Sequence, residues 1–412
     1  METRKHQVVI VGGGAGGLSV ASCLLKRKSE LDIAIVEPSE YHYYQPAWTL
    51  VGGGTYSAEA TRRQESRYIP GRAKWIQQQA ASFEPDQNAV VLADGTRVEY
   101  EFLVVAAGIQ LDWHKIEGLE ETLGQNGVSS NYRYDLAPYT WECISRLDGG
   151  TALFTQPVMP IKCAGAPQKI MYLAADHFRS RGIHVDVRFC PAGPSMFGVP
   201  AYSKALAKVV EAYGATADYN HNLVAVDGPG KKATFEVGEN KERVEKPFHM
   251  IHVVPPQSAP DFIKNSPLAN EGGWVAVDKA SLRHDQYANV FGLGDCTSTP
   301  NSKTAAAVRS QAPVLADNLA AAVDGKPPTA AYDGYAACPV TTSRGKVMLC
   351  EFSYDGVITP SFPFDPRKPR RFYWWLKKSF FPGLYWRMLG GNMGPYRSAP
   401  RELSDSLPRI VP

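Results

Sequence analysis

The sequence predicts an α/β protein with two domains of the same type and a C-terminal region of different composition. Strand-and-helix alternation starts twice, near Val8 and near Thr151, and such alternation is typical of parallel sheets. After about Lys326 the chain becomes rich in aromatic and basic residues instead. A length of 412 residues exceeds one compact core, which also favours several domains.

The bulk composition excludes several classes of protein. A net charge of +3 gives no support for a nucleic-acid partner. The seven cysteines include no CxxC pair and no cluster with the spacing of metal ligands, so we expect neither a disulfide-stapled secreted scaffold nor a metal site. No stretch reaches the ~18 apolar residues of a membrane-spanning helix. The first residues also lack the apolar core of a secretion signal.

The first domain opens on a phosphate-binding turn. A strand over residues 8–11 precedes Gly12, Gly14 and Gly17, which match G-x-G-x-x-G and lead into a helical pattern. In this motif the first glycine permits a tight turn, the second lets the backbone approach a pyrophosphate, and the third lets helix pack on strand. Glu37 ends the next predicted strand, where a carboxylate can accept hydrogen bonds from ribose hydroxyls. Together these elements predict a Rossmann-like dinucleotide-binding domain.

A second, distant segment favours FAD over NAD. Residues 290–295 form a predicted strand that ends in Gly294 and Asp295. The segment resembles a motif of flavoproteins with two dinucleotide-binding domains, in which the aspartate binds the ribityl and phosphate part of FAD. An ordinary turn at the end of a strand is the alternative interpretation.

The second Rossmann-like unit lacks a glycine-rich turn. Its first strand leads into residues 155–165, where Pro157 and Pro160 supply no N–H donors and Met159 obstructs the approach of a pyrophosphate. We therefore expect that this unit does not bind a nicotinamide nucleotide.

Cys163 occupies this turn instead. It stands beside Lys162 and directly before a helix expected over residues 164–179. A helix N-terminus and a neighbouring lysine both lower the pKa of a thiol and favour the nucleophilic thiolate. The sequence therefore predicts a catalytic cysteine, with a buried core residue as the alternative.

Six further segments carry a family resemblance that covers nearly the whole chain. They are 36–40 (VEPSE), 44–52 (YQPAWTLVG), 162–173 (KCAGAPQKIMYL), 294–297 (GDCT), 302–308 (SKTAAAV) and 332–335 (YDGY). Together they resemble sulfide:quinone oxidoreductases, and in particular the branch that includes the mitochondrial enzyme. The resemblance implies a flavoprotein of the disulfide oxidoreductase type, with FAD as its cofactor.

The resemblance also implies that two redox cysteines lie beside the flavin. Cys163 matches the first, and Cys338 matches the second. The other five cysteines are expected to be structural, including Cys143, whose helical context does not match the third cysteine of some branches. The residues expected to contact FAD are Gly12, Gly14, Ala15, Gly16, Gly17, Glu37, Gln45, Ala80, Gly108, Gly294, Asp295, Lys303 and Thr304.

The implied reaction is the oxidation of hydrogen sulfide. Hydrosulfide attacks the oxidised Cys163–Cys338 pair, which leaves a persulfide on Cys338 and a thiolate on Cys163, and two electrons then pass from Cys163 into FAD. The sulfane sulfur leaves Cys338 for an acceptor such as glutathione, sulfite, cyanide or more sulfide. Lys303 and Thr304 open a helix near the flavin, where positive charge would stabilise the reduced form. Ubiquinone is the expected electron acceptor.

The aromatic tail is expected to bind a membrane surface and to admit the quinone. Residues 372–389 are too short and too interrupted to span a bilayer, so we expect two short amphipathic helices in the interface, with the basic run 367–371 drawn to anionic lipid. An aromatic patch that docks a partner subunit or a second copy is the alternative. The candidate walls of the quinone site are Phe352, Tyr354, Phe380, Tyr385 and Trp386.

These expectations divide the chain into four segments. Residues 1–115 form the first part of the FAD-binding domain, 116–270 the second Rossmann-like domain with Cys163, 271–325 the second part of the FAD-binding domain, and 326–412 the C-terminal membrane-anchoring and quinone region with Cys338. Because no signal sequence is present, we expect a monotopic protein on the cytoplasmic face of a bacterial inner membrane. Whether the chain forms a homo-oligomer stays open.

Three other functions stay open. A flavoprotein sulfide dehydrogenase that passes electrons to a cytochrome subunit would lack the tail and normally carry an export signal. An NADH:quinone oxidoreductase would need the missing glycine-rich turn. A flavin-dependent redox sensor would use the same cysteines without turnover.

Overall fold

A computed structural model describes residues 3–394, 400–403, 406–408 and 410–411, and it has the α/β organisation that the sequence predicts. The strands are β1 (Thr3–Val11), β2 (Ile33–Val36), β3 (Tyr41–Tyr43), β4 (Arg62–Gln64), β5 (Ala73–Ile76), β6 (Ala80–Glu84), β7 (Ala89–Leu92), β8 (Arg97–Val105), β9 (Gln110–Leu111), β10 (Val128–Ser129), β11 (Thr151–Gln156), β12 (Asp186–Pro191), β13 (Thr216–Ala217), β14 (His221–Asp227), β15 (Lys232–Val237), β16 (Glu242–Pro247), β17 (Met250–His252), β18 (Gln257–Ser258), β19 (Val290–Gly292), β20 (Ala336–Ser343) and β21 (Lys346–Phe352). The helices are α1 (Ala15–Arg27), α2 (Trp48–Gly52), α3 (Leu119–Thr122), α4 (Ala137–Arg146), α5 (Ala166–Arg181), α6 (Pro200–Tyr213), α7 (Asp261–Lys264), α8 (Ala305–Val323), α9 (Arg371–Trp375) and α10 (Phe381–Leu389).

The first sheet joins the beginning of the chain to a segment near residue 290. Strands β5, β2, β1, β8 and β19 lie side by side and run parallel, and β7 and β6 extend the sheet antiparallel from β8. All four residues of β2 are buried, as expected for a strand covered on both faces. Because β19 pairs with β8, the turn that follows β19 lies at the same sheet edge as the glycine turn after β1.

The second sheet is parallel and belongs to the middle of the chain. Its strand order is β10, β17, β11, β12 and β13. Helix α5 follows β11 and starts two residues later than predicted, at Ala166, with Pro167 in its first turn, where a proline costs no hydrogen bond. It ends at Gly182, whose φ of +67° is the left-handed conformation that closes many helices. Strands β14, β15 and β16 form a separate antiparallel sheet.

The C-terminal region contains a buried β-hairpin and one continuous helical segment. Strands β20 and β21 pair antiparallel, and β20 packs on α5. Helices α9 and α10 are joined by a π-helical stretch, Leu376–Phe380, so the segment does not form the two separate interfacial helices that we expected. One side of it is buried: the hydroxyls of Ser19 and Ser22 on α1 donate to the carbonyls of Met388 and Leu389. Among the described residues, no helix has the length and apolar character needed to cross a bilayer.

Candidate active site

The glycine turn after β1 has the open approach that a pyrophosphate needs. Gly12 has φ +106°, and a side chain there would collide with the Ala106 carbonyl. Gly17 lies directly against the Gly12 carbonyl, so a larger residue would push the helix off the strand. A Cβ on Gly14 would meet no atom within 4 Å, so the backbone at the N-terminus of α1 faces open space. Free N–H groups at that end favour an anionic group, so these residues fit a dinucleotide.

Glu37 is held beside this turn by two backbone donors. The amide of Gly13 donates to Oε2 at 2.7 Å, and the amide of Ser39 donates to Oε1 at 2.8 Å. Burial raises the pKa of the Glu37 carboxyl, and the two amide bonds oppose that shift. A fixed carboxylate after the second strand is the arrangement that binds ribose hydroxyls.

The cysteine turn is attached to the start of α8. The amide of Cys163 donates to the carbonyl of Lys303 at 2.8 Å, and the carbonyl of Cys163 accepts from the amide of Ala166 at 2.7 Å. These bonds hold Cys163 at φ +53°, a left-handed conformation that is uncommon for a residue other than glycine. Thr304 caps α8 by accepting a hydrogen bond from the Ala307 amide at 3.1 Å. The turn that follows β11 of the second sheet therefore lies against the segment that precedes α8.

Cys163 and Cys338 meet in space although 175 residues separate them. Their sulfur atoms are 3.5 Å apart. Cys338 is fully buried on β20, which packs on α5, whereas Cys163 is half-buried in the turn before α5. The approach is close because Gly165 has no side chain: a Cβ there would lie 2.6 Å from the Cys338 sulfur.

Lys169 supplies the positive charge next to Cys163. Its ammonium group donates to the Cys163 sulfur at 3.0 Å, and the lysine is 4% exposed. The hydrogen bond from the Cys338 thiol and the charge of Lys169 hold the pKa of Cys163 well below its usual value, although burial acts in the opposite direction. The bond to Cys163 and burial raise the pKa of Cys338 well above its usual value. The pair is therefore a thiolate at Cys163 and a thiol at Cys338.

The lysine that the sequence favoured for this role lies elsewhere. Lys162 donates to Gln45 Oε1 at 2.7 Å and lies 5.4 Å from the ring centre of Trp48. Lys169, six residues further on, is the residue that the sequence interpretation missed.

A second buried lysine also lies close to the cysteine pair. Lys377, in the π-helical stretch, is 5% exposed and donates to the Pro339 carbonyl and to Thr341 Oγ1, at 2.9 and 2.6 Å. Burial and the charge of Lys169 lower the pKa of Lys377 well below its usual value. The sequence interpretation gave Lys377 no role in the reaction. A lysine on the buried side of an amphipathic segment is the signal that would have identified it.

The remaining cysteines are held as thiols by burial. Burial raises the pKa of Cys143 and Cys296 to about 11 and that of Cys190 to about 12. It also raises the pKa of Cys23 and Cys350. Among the described residues, no group of three or more His, Cys, Asp and Glu side chains could hold a metal ion.

Five other residues expected to contact the cofactor lie at or near the ends of β6, β8, β19 and α8, and their role stays a prediction. Gly108 and Gly294 both have positive φ, +73° and +77°, and no atom lies within 4 Å of a Cβ on Gly108. Burial raises the pKa of Asp295, against the charges of Lys303 and Lys162. The Lys303 ammonium donates to the Thr297 carbonyl at 3.0 Å and lies 4.1 Å from the Trp274 ring centre. Ala80 is buried at the start of β6.

The five candidate quinone residues lie in different surroundings. Tyr385 and Trp386 are buried in the core of the first domain, where Tyr385 shares a 2.7 Å hydrogen bond with His42, and Tyr354 packs against the same core. Phe352 instead packs against the cluster that contains Cys338. Phe380 is 47% exposed. Their assignment to one quinone site stays a prediction.

His42 belongs to a buried polar group that the sequence did not reveal. Its Nδ1 shares a 3.0 Å hydrogen bond with Glu65 Oε2, and its other ring nitrogen contacts the Tyr385 hydroxyl. The second oxygen of Glu65 is buried without a hydrogen-bond partner and lies beside Gly13. This group connects the glycine turn to α10.

Comparison with known proteins identifies the family. Residues 6–138 match the model of the family described as pyridine nucleotide-disulphide oxidoreductase. A relative from Dictyostelium discoideum, named as a mitochondrial sulfide:quinone oxidoreductase, is 48% identical over 94% of this chain and 86% of its own length. The chain belongs to the sulfide:quinone oxidoreductase family. A flavin cofactor follows from that membership.

Two further comparisons are consistent with this family and its fold. A Mus musculus relative, also named as a mitochondrial sulfide:quinone oxidoreductase, is 41% identical over 93% of this chain and 86% of its own. The solved structure of the sulfide:quinone oxidoreductase from Aquifex aeolicus superposes with a TM-score of 0.80, at 22% identity over 96% of this chain and 93% of that one, which supports the fold.

The predicted localisation is wrong. We expected the cytoplasmic face of a bacterial inner membrane, but the Dictyostelium and mouse relatives are eukaryotic and are named as mitochondrial. The expectation rested on the residue pattern at the start of the sequence, which does not identify a compartment.

Proposed function

We propose that this protein oxidises hydrogen sulfide at the Cys163–Cys338 pair, uses FAD as its flavin and ubiquinone as electron acceptor, and passes the sulfane sulfur to a small acceptor such as glutathione or sulfite. The observation that carries the proposal is the 3.5 Å separation of the two sulfur atoms next to a buried lysine. Names of the relatives supply the substrate class.

The charges around the pair assign different roles to the two cysteines. With the pair oxidised, hydrosulfide attacks the Cys338 sulfur, a persulfide bond forms there, and the Cys163–Cys338 bond breaks. Cys163 is the better leaving group because Lys169 stabilises its thiolate, and the thiol of lower pKa leaves faster. The outer sulfur on Cys338 then passes to the acceptor, which leaves a Cys338 thiolate.

The residues that would hold FAD lie at the edge of the first sheet. The glycine turn after β1 would bind the pyrophosphate and Glu37 the adenosine ribose, while Gly294 and Asp295 would contact the ribityl part. When bound, FAD takes up two electrons and passes them to the quinone. Cys163 keeps its sulfur as a thiolate for that purpose, and the carbonyl of Lys303 fixes its backbone.

Exposed aromatic rings on the tail support attachment to a membrane surface. Phe372, Trp375 and Phe380 are 42%, 53% and 47% exposed, and their rings stack in a row with centroid distances of 6.1 and 6.3 Å. Arg371 and Lys378 are exposed beside them. Such a face suits the interface of an anionic membrane, which we propose to be mitochondrial. Arg367 does not contribute, because it is buried and paired with Asp365.

The reaction is tested by anaerobic titration of the flavin absorbance with sulfide and then with NADH. Wild type should bleach with sulfide alone. Cys163→Ala and Cys338→Ala should each retain FAD and lose bleaching by sulfide, because neither can form the Cys163–Cys338 pair. Cys190→Ala, which removes a buried thiol from β12, is the matched control. Normal sulfide turnover in either variant would eliminate the mechanism, and bleaching by NADH alone would indicate the NADH:quinone oxidoreductase instead.

Membrane attachment is tested by flotation with anionic liposomes. The double variant Trp375→Ser, Phe380→Ser should stay unbound because it removes two of the three stacked rings. Point variants are preferable to deletion of the tail, since residues 372–389 also contribute buried side chains. Val158→Ser, Met159→Ser removes two other exposed apolar residues and should float like wild type. Equal flotation of both double variants would reject this surface as the anchor.

A further inference from the structure

The hairpin β20–β21 places a third thiol directly opposite Cys338. In its register Cys338 pairs with Cys350. Residues directly opposite in an antiparallel pair direct their side chains to the same face of the sheet. Both cysteines are fully buried and belong to one apolar cluster, which Cys163 contacts from its edge.

The register brings Cys350 within bridging reach of Cys338. Opposed residues of an antiparallel pair have Cα atoms about 4.5 to 5.5 Å apart. A disulfide needs Cα atoms roughly 4.4 to 6.8 Å apart, so both geometries of a cross-strand pair satisfy it. Cys338 therefore has two thiols in reach: Cys163, whose sulfur is 3.5 Å away, and Cys350 across the hairpin.

We propose that Cys350 is a second bridging partner of Cys338, and that in the absence of sulfide the Cys163–Cys338 disulfide isomerises to a Cys338–Cys350 disulfide. The inference rests on the proposed function, which supplies the first disulfide. Cys350 sulfur attacks Cys338 sulfur, the Cys338–Cys350 bond forms, and the Cys163–Cys338 bond breaks. Cys163 leaves with the electron pair as a thiolate, and the proton of the Cys350 thiol goes to water. One disulfide replaces another, so no oxidant is consumed.

The charges of the site set the direction and the speed of this exchange. Lys169 donates to the Cys163 sulfur, so the free thiolate is stabilised there and not at Cys350. Burial raises the pKa of Cys350, which keeps it a thiol and makes its attack slow. The exchange is therefore favourable but slower than attack by hydrosulfide, and it proceeds only when sulfide is scarce.

The form with the Cys338–Cys350 disulfide returns to the reaction through the Cys338 persulfide. Hydrosulfide that attacks Cys338 in the Cys338–Cys350 bridge forms the Cys338 persulfide and expels Cys350 as a thiolate, which takes back a proton from water because burial raises its pKa. With Cys163 already a thiolate, the product is the same state that attack on the first bridge produces. In the Cys338–Cys350 form, Cys338 therefore stays oxidised while Cys163 is a thiolate.

Peptide mapping distinguishes the two bridges, because trypsin places the three cysteines in separate peptides, 163–169, 310–344 and 347–367. The holoenzyme is oxidised by turnover with quinone, freed of sulfide and incubated anaerobically. Samples are then quenched in acid, alkylated with N-ethylmaleimide and digested without reduction. In wild type the link between 163–169 and 310–344 should decline while a link between 310–344 and 347–367 appears, and sulfide should remove the new link.

Variants and outcomes separate this inference from the proposed function. In Cys350→Ala and Cys350→Ser the first link should persist throughout, and Cys190→Ala should behave like wild type. Alkylated Cys350 at every time point, with the first link persisting in wild type, would overturn the inference and leave the proposed function intact. If neither link is present at the start, and both Cys163 and Cys338 are alkylated, the proposed function fails as well.

Discussion

The substitution Lys169→Met tests whether this lysine, and not Lys162, controls the reactivity of Cys163. Methionine fills much of the same buried volume but removes the charge and the 3.0 Å hydrogen bond to the sulfur. A hydrogen bond to a charged group is worth about 1.5 to 3 kcal/mol. At 1.36 kcal/mol per pKa unit, the loss should raise the pKa of Cys163 by roughly one to two units.

The assay is alkylation of the reduced protein with iodoacetamide over a series of pH values, followed at the Cys163 peptide by mass spectrometry. Alkylation follows the thiolate fraction, so the wild-type rate should already be high below the usual range of a thiol, and the Lys169→Met midpoint should move to higher pH. Lys162→Met is the matched control because its ammonium group contacts Gln45. A shift in Lys162→Met with none in Lys169→Met would refute the assignment.

Two further substitutions test the close approach of the cysteines and the cofactor site. Gly165→Ala places a Cβ 2.6 Å from the Cys338 sulfur, so it should displace Cys338 and reduce both the fraction of protein with the Cys163–Cys338 link and sulfide-dependent bleaching. Gly198→Ala, where a Cβ meets no atom within 4 Å, should reduce neither. An equal linked fraction in both variants would contradict the close packing of Gly165 on Cys338. Glu37→Gln should weaken FAD binding by about tenfold or more in fluorescence titration of the apoprotein, as expected for a lost charged hydrogen bond. FMN, which lacks the adenosine, should bind to Glu37→Gln as it does to wild type. Glu40→Gln, at an exposed position, should bind FAD with wild-type affinity. An FAD affinity unaffected by Glu37→Gln would show that Glu37 does not bind the ribose.

Local sequence signals predicted the first domain well. The strand expected before Glu37 is present over residues 33–36, because a short apolar run is closed at both ends by polar residues. The glycine turn and Glu37 also lie together, since the G-x-G-x-x-G spacing encodes a backbone path that few other residues can follow. The start of α5 was two residues off because the left-handed turn at Cys163 and the loop to Ala166 carry no sequence signature.

The pairing of Cys163 with Cys338 could be expected only from the family resemblance. Their 3.5 Å contact depends on the packing of β20 on α5, a long-range contact that spacing along the chain does not encode. The roles of Lys169 and Lys377 were missed for the same reason: which side of a helix faces the pair is decided by tertiary packing. In both cases a lysine that the sequence suggests is solvated is nearly fully buried.

We propose that the two cysteines form one redox centre with unequal roles. The decisive experiment mixes the freshly oxidised enzyme with a limiting amount of sulfide, without an acceptor, and locates the added sulfur by mass spectrometry after rapid alkylation. We expect loss of the Cys163–Cys338 link, an extra sulfur atom on the Cys338 peptide, and a Cys163 peptide alkylated without extra sulfur. An extra sulfur on Cys163, or a freshly oxidised enzyme in which Cys163 and Cys338 are both free thiols, would contradict this assignment.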